Sequence, residues 1–190
     1  MDLRTFITQS ADQSGMDFAG DFSLKWTRKR LNKGTHLCRQ GQHETGEFIV
    51  LEGCLASTIC DQDGKEVCVG LYVGLCVVTP NIARTRDGVS LVSISATTDV
   101  SLARLETGQL TNLMVSSETV RNWANAALRD ALSRKADREW CLAALRGSDR
   151  LNWFRERFPG YEGIFAHTLI ASFLGITLVT MSRLRANDRQ

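Results

Sequence analysis

Several hallmarks of common protein classes are missing from this 190-residue sequence. No two cysteines are separated by two residues, which argues against a zinc finger or a ferredoxin-type cluster. No run approaches roughly 18 apolar residues, so we expect no membrane-spanning helix. The N-terminal stretch MDLRTFITQSADQSG lacks a continuous apolar core and a cleavage-like segment, so we expect no secretion signal. These absences favour a cytoplasmic protein whose cysteines are reduced: Cys38, Cys54, Cys60, Cys68, Cys76 and Cys141.

Patterns of catalytic and metal-binding residues are equally sparse. No GxSxG, Ser-His-Asp or phosphate-loop pattern is found, so we expect no catalytic residues and no enzyme. His36, His43, Glu44 and Glu47 lie close in sequence, but a cupin metal site needs two histidines one residue apart and a third on a later strand. We therefore expect no metal and no cofactor. A cupin-like metal- or small-molecule-binding protein or enzyme with a helical C-terminal extension is the alternative.

The charge is low overall and unevenly placed. A net charge of +2 means that any nucleic-acid binding depends on a local patch. Residues 147–190 contain no lysine and four acids, so their six arginines give this segment the whole excess. Arginine suits both phosphate contact and bidentate guanine recognition. The six are Arg150, Arg155, Arg157, Arg183, Arg185 and Arg189.

Residues 1–108 read mostly as β-structure after a short helical lead-in over residues 1–24, with Leu3, Phe6 and Ile7 on one face. Short alternating runs such as EFIVLEG, VSLVSIS and VSLARL are separated by turn residues. Asp63-Gly64 predicts a type I′ hairpin turn. Many short strands at near-regular spacing predict an N-terminal antiparallel β-roll of jelly-roll type.

From Thr111 the sequence becomes helical, with no glycine or proline up to residue 145. Small and apolar residues recur at steps of three and four, and the opposite face is charged. This stripe favours a dimerisation helix over 111–136, in a segment 109–136, that pairs with its own copy. The alternative is packing on its own β domain. The stripe consists of Val120, Trp123, Ala124, Ala127, Leu128, Ala131 and Leu132.

The last segment, 137–190, predicts a small helical domain. Helices are expected over 137–145 and 149–158, the second ended by Pro159-Gly160. Residues 167–186 then have helix-turn-helix spacing, with a small residue at Ala171, a turn at Gly175 and a cap at Thr177. Helical periodicity turns Met181 and Leu184 inward, while four residues face outward: Val179, Ser182, Arg183 and Ala186.

A β-roll, a long helix and a helix-turn-helix, in that order, resemble the CRP/FNR family of bacterial transcription regulators. The motifs KGTHLCRQG, EFIVLEGCL, DQDGKEVCVGLY and IASFLGITLVTMSRLR carry the resemblance. It implies an α+β homodimer that binds double-stranded DNA at an inverted repeat, with RNA polymerase as a further candidate partner. Arg183 would reach a base edge, and Thr177 and Thr180 would touch phosphate or orient the helix. The expected DNA-binding residues are Thr177, Leu178, Val179, Thr180, Ser182 and Arg183.

The sequence also departs from the family. Val179 stands where a glutamate is common, and the segment PGYEGIF leaves no room for a hairpin wing. Members that bind cyclic AMP use a Gly-Glu pair and an Arg-Ser or Arg-Thr pair, but here Gly74 precedes Leu75 and the arginine position falls near Ser90. A buried cyclic phosphate would lack a charge partner, so we expect no control by cyclic AMP.

The effector is therefore left unassigned. No cysteine precedes Cys38, which argues against an FNR-like iron–sulfur cluster. Arg84 and Arg86 could replace the missing arginine only if their loop were rebuilt. Control by a partner or by oxidation of Cys54, Cys60, Cys68 and Cys76 is a further alternative.

Overall fold

The computed structural model describes residues 3–10 and 21–187. The chain divides into two compact units. The first, which we call the roll unit, comprises Met1–Ser57 and Leu71–Leu132. The second, the C-terminal unit, comprises Thr58–Gly70 and Ser133–Gln190. The C-terminal unit is therefore built from two separate stretches of the chain.

Antiparallel β-structure dominates the first part of the chain, and the predicted α+β fold class is confirmed. One sheet has the order β1-β10-β3-β6, a second has the order β2-β9-β4-β5, and β7 and β8 form a hairpin. The strands are β1 Thr27–Leu31, β2 His36–Cys38, β3 Gly46–Glu52, β4 Cys54–Cys60, β5 Glu66–Val73, β6 Cys76–Val77, β7 Thr85–Arg86, β8 Val89–Ser90, β9 Ser93–Ala96 and β10 Val100–Glu106. A 3₁₀ turn occupies Asn81–Ala83.

Two hydrophobic clusters pack on opposite faces of the central strands. Phe48, Val50 and Leu102 belong to the cluster inside the roll. Ile49 and Ala103, their immediate neighbours along β3 and β10, belong to the other cluster. Successive side chains of a strand point to opposite faces, so one strand contributes to both. Because each buried large side chain stabilises by about 1.5–3 kcal/mol, these strands anchor the roll.

The type I′ turn lies at a different place from the predicted one. Both central residues of such a turn need positive φ. Asp87 and Gly88, between β7 and β8, have φ values of 52° and 75°. The turn at Asp63-Gly64 instead forms around Asp61, whose Oδ1 accepts hydrogen bonds from the backbone amides of Asp63 and Lys65. The predicted hairpin exists, but the prediction of its turn type was wrong.

The helices differ from the prediction in where they break. Ser117 has an extended conformation, with φ −135° and ψ 117°, and its hydroxyl accepts from the amide of Val120. This residue separates two helices inside the predicted 111–136 helix, whereas residues 137–145 continue the second helix without interruption. The helices are α1 Leu3–Ser10, α2 Thr107–Ser116, α3 Glu118–Ala144, α4 Gly147–Arg157, α5 Tyr161–Ile164, α6 His167–Phe173 and α7 Leu178–Asn187.

The apolar stripe of α3 is shared between two environments. Val120 and Trp123 are buried against the chain's own roll unit, together with Phe22 and Trp26. The three aromatic rings contact one another edge to face. Leu132, in contrast, is 52% exposed. Val120 and Trp123 therefore follow the alternative of packing on the β domain, while other residues of the stripe are only partly covered.

Two expectations concern the ends of the chain and membrane spans. Leu3 and Ile7 of α1 are buried, which confirms the start of the predicted lead-in, while residues 11–20 of that prediction lie outside the described residues. Within the described ranges, no single helix is long and apolar enough to cross a membrane. Helices α6 and α7 reach the required composition only as a pair, which is bent by 103°.

Candidate nucleic-acid interface

Helices α6 and α7 form a tight angular pair near the C-terminus. Their axes are bent by 103° across the turn, within the range of about 90–120° typical of helix-turn-helix units. Gly175 has φ 62°, which only glycine adopts without strain, and a Cβ there would lie 3.1 Å from the Leu142 side chain. Ala171 is buried where the helices approach each other. The predicted turn and its small residue are confirmed.

The start of α7 is capped as the sequence predicts. The backbone amide of Thr180 donates to Thr177 Oγ1 at 3.1 Å, which satisfies one of the unpaired amides of the first turn. Ile170, Leu174 and Met181 are fully buried and form the inner face of the α6–α7 pair. Cap and core together fix the direction in which α7 presents its outer face.

The outer face of α7 is exposed to solvent. Val179 is 61% exposed, and Leu178, Ser182 and Arg183 are also exposed. The Arg183 guanidinium has no hydrogen-bond or ion-pair partner among the described residues. Thr180 is half-buried and its hydroxyl lies 2.9 Å from Thr177 Oγ1, so this pair is already engaged in the cap. Their predicted part in orienting the helix fits this geometry.

The other arginines near α7 are used within the C-terminal unit. Arg155 Nε and Arg185 Nε each lie 2.7 Å from the Glu162 carboxylate. The hydrogen bond from Arg155 is the main cause of a lowered pKa at Glu162. Arg157 binds Asp137 at 2.8 Å. These ion pairs take up guanidinium groups that the sequence left available for DNA.

Arg150 is a positioning residue that sequence reasoning did not recognise. Its guanidinium donates to the carbonyls of Leu142 and Leu145 at 2.8 and 2.9 Å, near the end of α3. It also donates to the carbonyls of Leu174 and Gly175, at 3.1 and 3.4 Å, in the turn before α7. One side chain thereby satisfies carbonyls that helix ends leave unpaired, and it ties the α6–α7 turn to α3.

Arg138 has a similar structural role one element earlier. It donates to the carbonyls of Phe173 and Cys68, at 3.0 and 3.1 Å, and lies over the Phe173 ring at 4.9 Å. The amide of Cys68 in turn donates to Ser172 Oγ at 2.9 Å. The beginning of β5, close to the β4–β5 turn, is thus bonded to the end of α6. The sequence shows that Arg138 is positively charged but does not indicate its hydrogen-bond partners.

The positions that correspond to the cyclic-phosphate residues have structural roles within the chain. A Cβ on Gly74 would lie 2.9 Å from the carbonyl oxygen of Leu51. The close approach of the Gly74 backbone to β3 is therefore sufficient to explain why this residue is glycine. Ser90 is buried, and its hydroxyl donates to the Val92 carbonyl at 2.7 Å. Leu75 provides no carboxylate. Nothing at these positions offers a charged group to a phosphate.

Arg84 is present in this region but is not available to a ligand. It is only 2% exposed and forms an ion pair with Glu44. Its remaining donors bind the carbonyls of Thr79 and Gly46, and its guanidinium lies 5.1 Å from the centre of the Phe48 ring. Each of the three guanidinium nitrogens therefore donates a hydrogen bond within the protein, and this arginine supports the fold of the loop.

Three of the four residues considered for a metal site are engaged in other ways, whereas the buried Nδ1 of His36 has no hydrogen-bond partner among the described residues. Glu47 is buried and accepts from the amide of Asn81 at 2.9 Å, and burial raises the pKa of its carboxyl. Glu44 belongs to the ion pair with Arg84, and His43 Nδ1 lies 3.0 Å from the Gly88 carbonyl. Among residues 3–10 and 21–187, no group of three or more potential ligands could hold a metal ion.

The cysteines are free thiols in several environments. Burial raises the pKa of the Cys54 thiol and raises that of Cys68 to about 11. Because the thiolate is the reactive form, these two sites are poorly suited to oxidation. Cys60 is exposed and Cys76 is half-buried.

Comparison with known proteins identifies the roll and the overall fold. Residues 28–117 match the cyclic nucleotide-binding domain family. FixK2 from Bradyrhizobium japonicum superposes with a TM-score of 0.72 at 18% identity, over 85% of this chain and 83% of that one. CLP from Xanthomonas campestris, described as a c-di-GMP-responsive global regulator, gives 0.70 at 16% identity, over 90% and 89%.

A third structure, assigned to the CRP/FNR family and coming from Eubacterium rectale, gives a TM-score of 0.70 at 19% identity, over 93% of this chain and 84% of that one. No curated protein sequence matches significantly. Residues 28–117 are thus similar to cyclic nucleotide-binding domains, and the chain has a fold like that of CRP/FNR transcription regulators. The resemblance seen in the sequence is confirmed at the level of fold.

Proposed function

We propose that the protein is a transcription regulator that binds double-stranded DNA in a sequence-specific manner. The observation that carries the proposal is the outer face of α7, which is exposed while its helix is capped, buried on its inner side and tied to α3 through Arg150. Arg183 supplies a free guanidinium for a base edge, and Val179 supplies an apolar contact such as one to a thymine methyl. The proposed contact residues are Thr177, Leu178, Val179, Thr180, Ser182 and Arg183.

The protein would act as a homodimer through the 111–136 helix, that is, through the end of α2 and most of α3. Val115 in α2 and Leu132 in α3 are 80% and 52% exposed, and contiguous exposed apolar surface marks an interaction site. A mostly apolar groove of about 660 Å³ adjoins the helix in the roll unit. A second copy of α3 could cover this surface, which is lined by residues that include Val77, Ile82, Met114, Ala124 and Leu128.

Control by cyclic AMP does not fit the roll. Ser90 and Leu75 carry no charge to match a cyclic phosphate, and the Arg84 guanidinium is neutralised by Glu44. Binding would require an unpaired buried phosphate or the rupture of a buried ion pair, each costing several kcal/mol. We therefore propose a non-catalytic cytoplasmic regulator that needs no cyclic AMP, and RNA polymerase is retained as a proposed partner.

Selection of bound sites from random duplex DNA, with the purified protein and no added ligand, tests this function. We expect an inverted repeat with half-sites about 34–36 Å apart. Enrichment only after cyclic AMP is added would contradict the proposed independence from this ligand. A failure to enrich any sequence under either condition would contradict DNA recognition through α7.

Replacement of Arg183 tests the contact itself. Arg183→Ala should weaken binding to the selected site by about 1–3 kcal/mol and reduce sequence preference at one position. Arg183→Lys is the matched variant, because lysine keeps the charge but cannot form the bidentate contact. We expect Arg183→Lys to keep affinity for random DNA and still lose specificity. Equal losses on specific and random DNA would overturn the assignment.

A further inference from the structure

A second concave surface lies on the roll unit, and it shares no lining residue with the groove beside α3. It is a groove of about 480 Å³ between strand β1, the segment after β2 and the beginning of β3. Neither Gly74 nor Ser90 lines it. Four permanently charged cations do: Arg28, Lys29, Arg39 and Arg104.

Most of this positive charge is uncompensated. Glu44 is the acidic residue in the groove wall, but its carboxylate is paired with Arg84. Arg104 is paired with Glu106. Within the described part of the chain, the side chains of Arg28, Lys29 and Arg39 have no ion-pair partner. The groove is therefore lined by exposed basic residues without internal neutralisation.

This concentration of charge has an energetic consequence. Like charges around a cavity with protein walls repel one another and raise the local positive potential, which an anion relieves. β1 fixes the backbone at Arg28 and Lys29, since it pairs with β10 from Thr27↔Arg104 to Leu31↔Val100. The backbone therefore needs no ordering on binding, and the cost that is left is the rotamer freedom of the long side chains.

The shape of the groove limits what can bind. Its volume lies within the range of about 300–1,000 Å³ that is usual for small-molecule sites. Leu37 and Phe48 contribute an apolar portion to the otherwise polar wall. A cavity of this kind accommodates a compact anion that also carries an organic group.

We infer that this groove binds an organic phosphate with two or more negative charges. Lys29 and Arg39 would contact the phosphate oxygens, since guanidinium and ammonium groups form the strongest hydrogen bonds to such anions. The site is separate from the DNA-contacting face of α7, so this inference does not rest on the proposed function. A ligand in this groove would not depend on the cyclic-phosphate residues that the roll lacks.

Calorimetric titration of the full-length protein with inorganic pyrophosphate and with ADP tests the inference. We expect saturable binding that weakens as salt is added, together with a rise in melting temperature at saturating ligand. Tighter binding of ADP would identify an organic phosphate as the ligand class, whereas equal affinities would overturn the organic part of the inference. No binding of either probe would overturn it entirely and would leave an acidic partner as the explanation of the patch.

Matched variants locate the site. Lys29→Gln combined with Arg39→Gln should weaken pyrophosphate binding by about tenfold, because two of the phosphate contacts are lost. Arg30→Gln is the control, since Arg30 is exposed on the same strand but does not line the groove. Equal losses in both variants would contradict a defined site. Loss in Arg183→Ala with retention in the double variant would place the anion on α7 and overturn the inference.

Discussion

Arg84 in the roll and Arg183 in α7 carry the same guanidinium in opposite circumstances. Arg84 is buried, and its charge and hydrogen-bond donors are used by Glu44, Thr79 and Gly46. Arg183 is exposed and unpaired within the described residues. Both arginines lie in regions that the family resemblance associates with ligands, yet only one of them has charge to offer. The availability of a charge depends on its internal partners and not on its place in the sequence.

The comparison also separates what each residue should control. Removing a buried, fully bonded arginine should affect folding, since its partners then remain unpaired inside the protein. Removing an exposed, unpaired arginine should leave folding unchanged within about 0.5 kcal/mol. A variant that reversed this pattern would show that the roles have been assigned to the wrong residues.

The largest effect is expected for Arg84→Ala. This substitution leaves the Glu44 carboxylate and two carbonyls buried without their donor, so the free energy of unfolding should fall by about 3–5 kcal/mol. Urea denaturation of the purified variants measures the change. Arg86→Ala, at an exposed position two residues along, is the control and should be nearly neutral. A stable Arg84→Ala protein would mean that Arg84 is free to serve a ligand.

An intermediate effect is expected for Arg150→Ala. The variant loses charge-assisted hydrogen bonds to carbonyls at the end of α3 and in the α6–α7 turn, each contributing about 1.5–3 kcal/mol at most. We expect reduced stability and weaker binding to specific DNA, since α7 is less firmly oriented. Thermal melting and a DNA titration report the two effects. Arg157→Ala serves as the control, because its ion pair with Asp137 is about half exposed. Unchanged DNA affinity in Arg150→Ala would show that the hydrogen bonds of Arg150 do not contribute to DNA recognition.

The smallest effect is expected for Glu162→Gln, and it should depend on pH. The folded-state pKa of Glu162 is lowered, chiefly by the hydrogen bond from Arg155, so the carboxylate stabilises the fold above its ordinary pKa. This contribution, about 1 kcal/mol or less for a partly exposed network, is lost as the pH falls through the lowered folded-state pKa. The wild type should exceed the variant in stability at neutral pH, and the difference should vanish in acid. A difference that persists in acid would point to packing instead of charge.

Local features of the candidate interface were predictable from sequence because their causes are local. Ala171, Gly175 and Thr177 act through a close crossing, a positive φ and a hydrogen bond three residues away. The order of β-roll, long helix and helical C-terminal segment followed from periodicity over short windows. The DNA-contacting roles of the α7 residues stay a prediction.

Other features depend on partners that sequence spacing does not reveal. Arg84 meets Glu44 across forty residues of chain, and Arg157 meets Asp137 across twenty. No sequence feature marks a break in α3 at residue 137. The prediction of a separate helix from that residue came from placing a domain boundary there. The type I′ turn at Asp87-Gly88 carried a recognisable dipeptide, but the same dipeptide at Asp63-Gly64 drew the prediction instead.

The hydrogen bonds of Arg138 have a consequence for how the chain must fold. Its donors reach Cys68 and Phe173, so the C-terminal unit includes a hairpin tip that lies 70 residues earlier in the sequence. A fragment beginning at Ser133 would lack that tip and leave the guanidinium without one of its acceptors. During synthesis, the hairpin emerges first and must wait for the last helices. The two units are therefore interleaved in the order of the chain, and no single cut divides this protein into two complete parts.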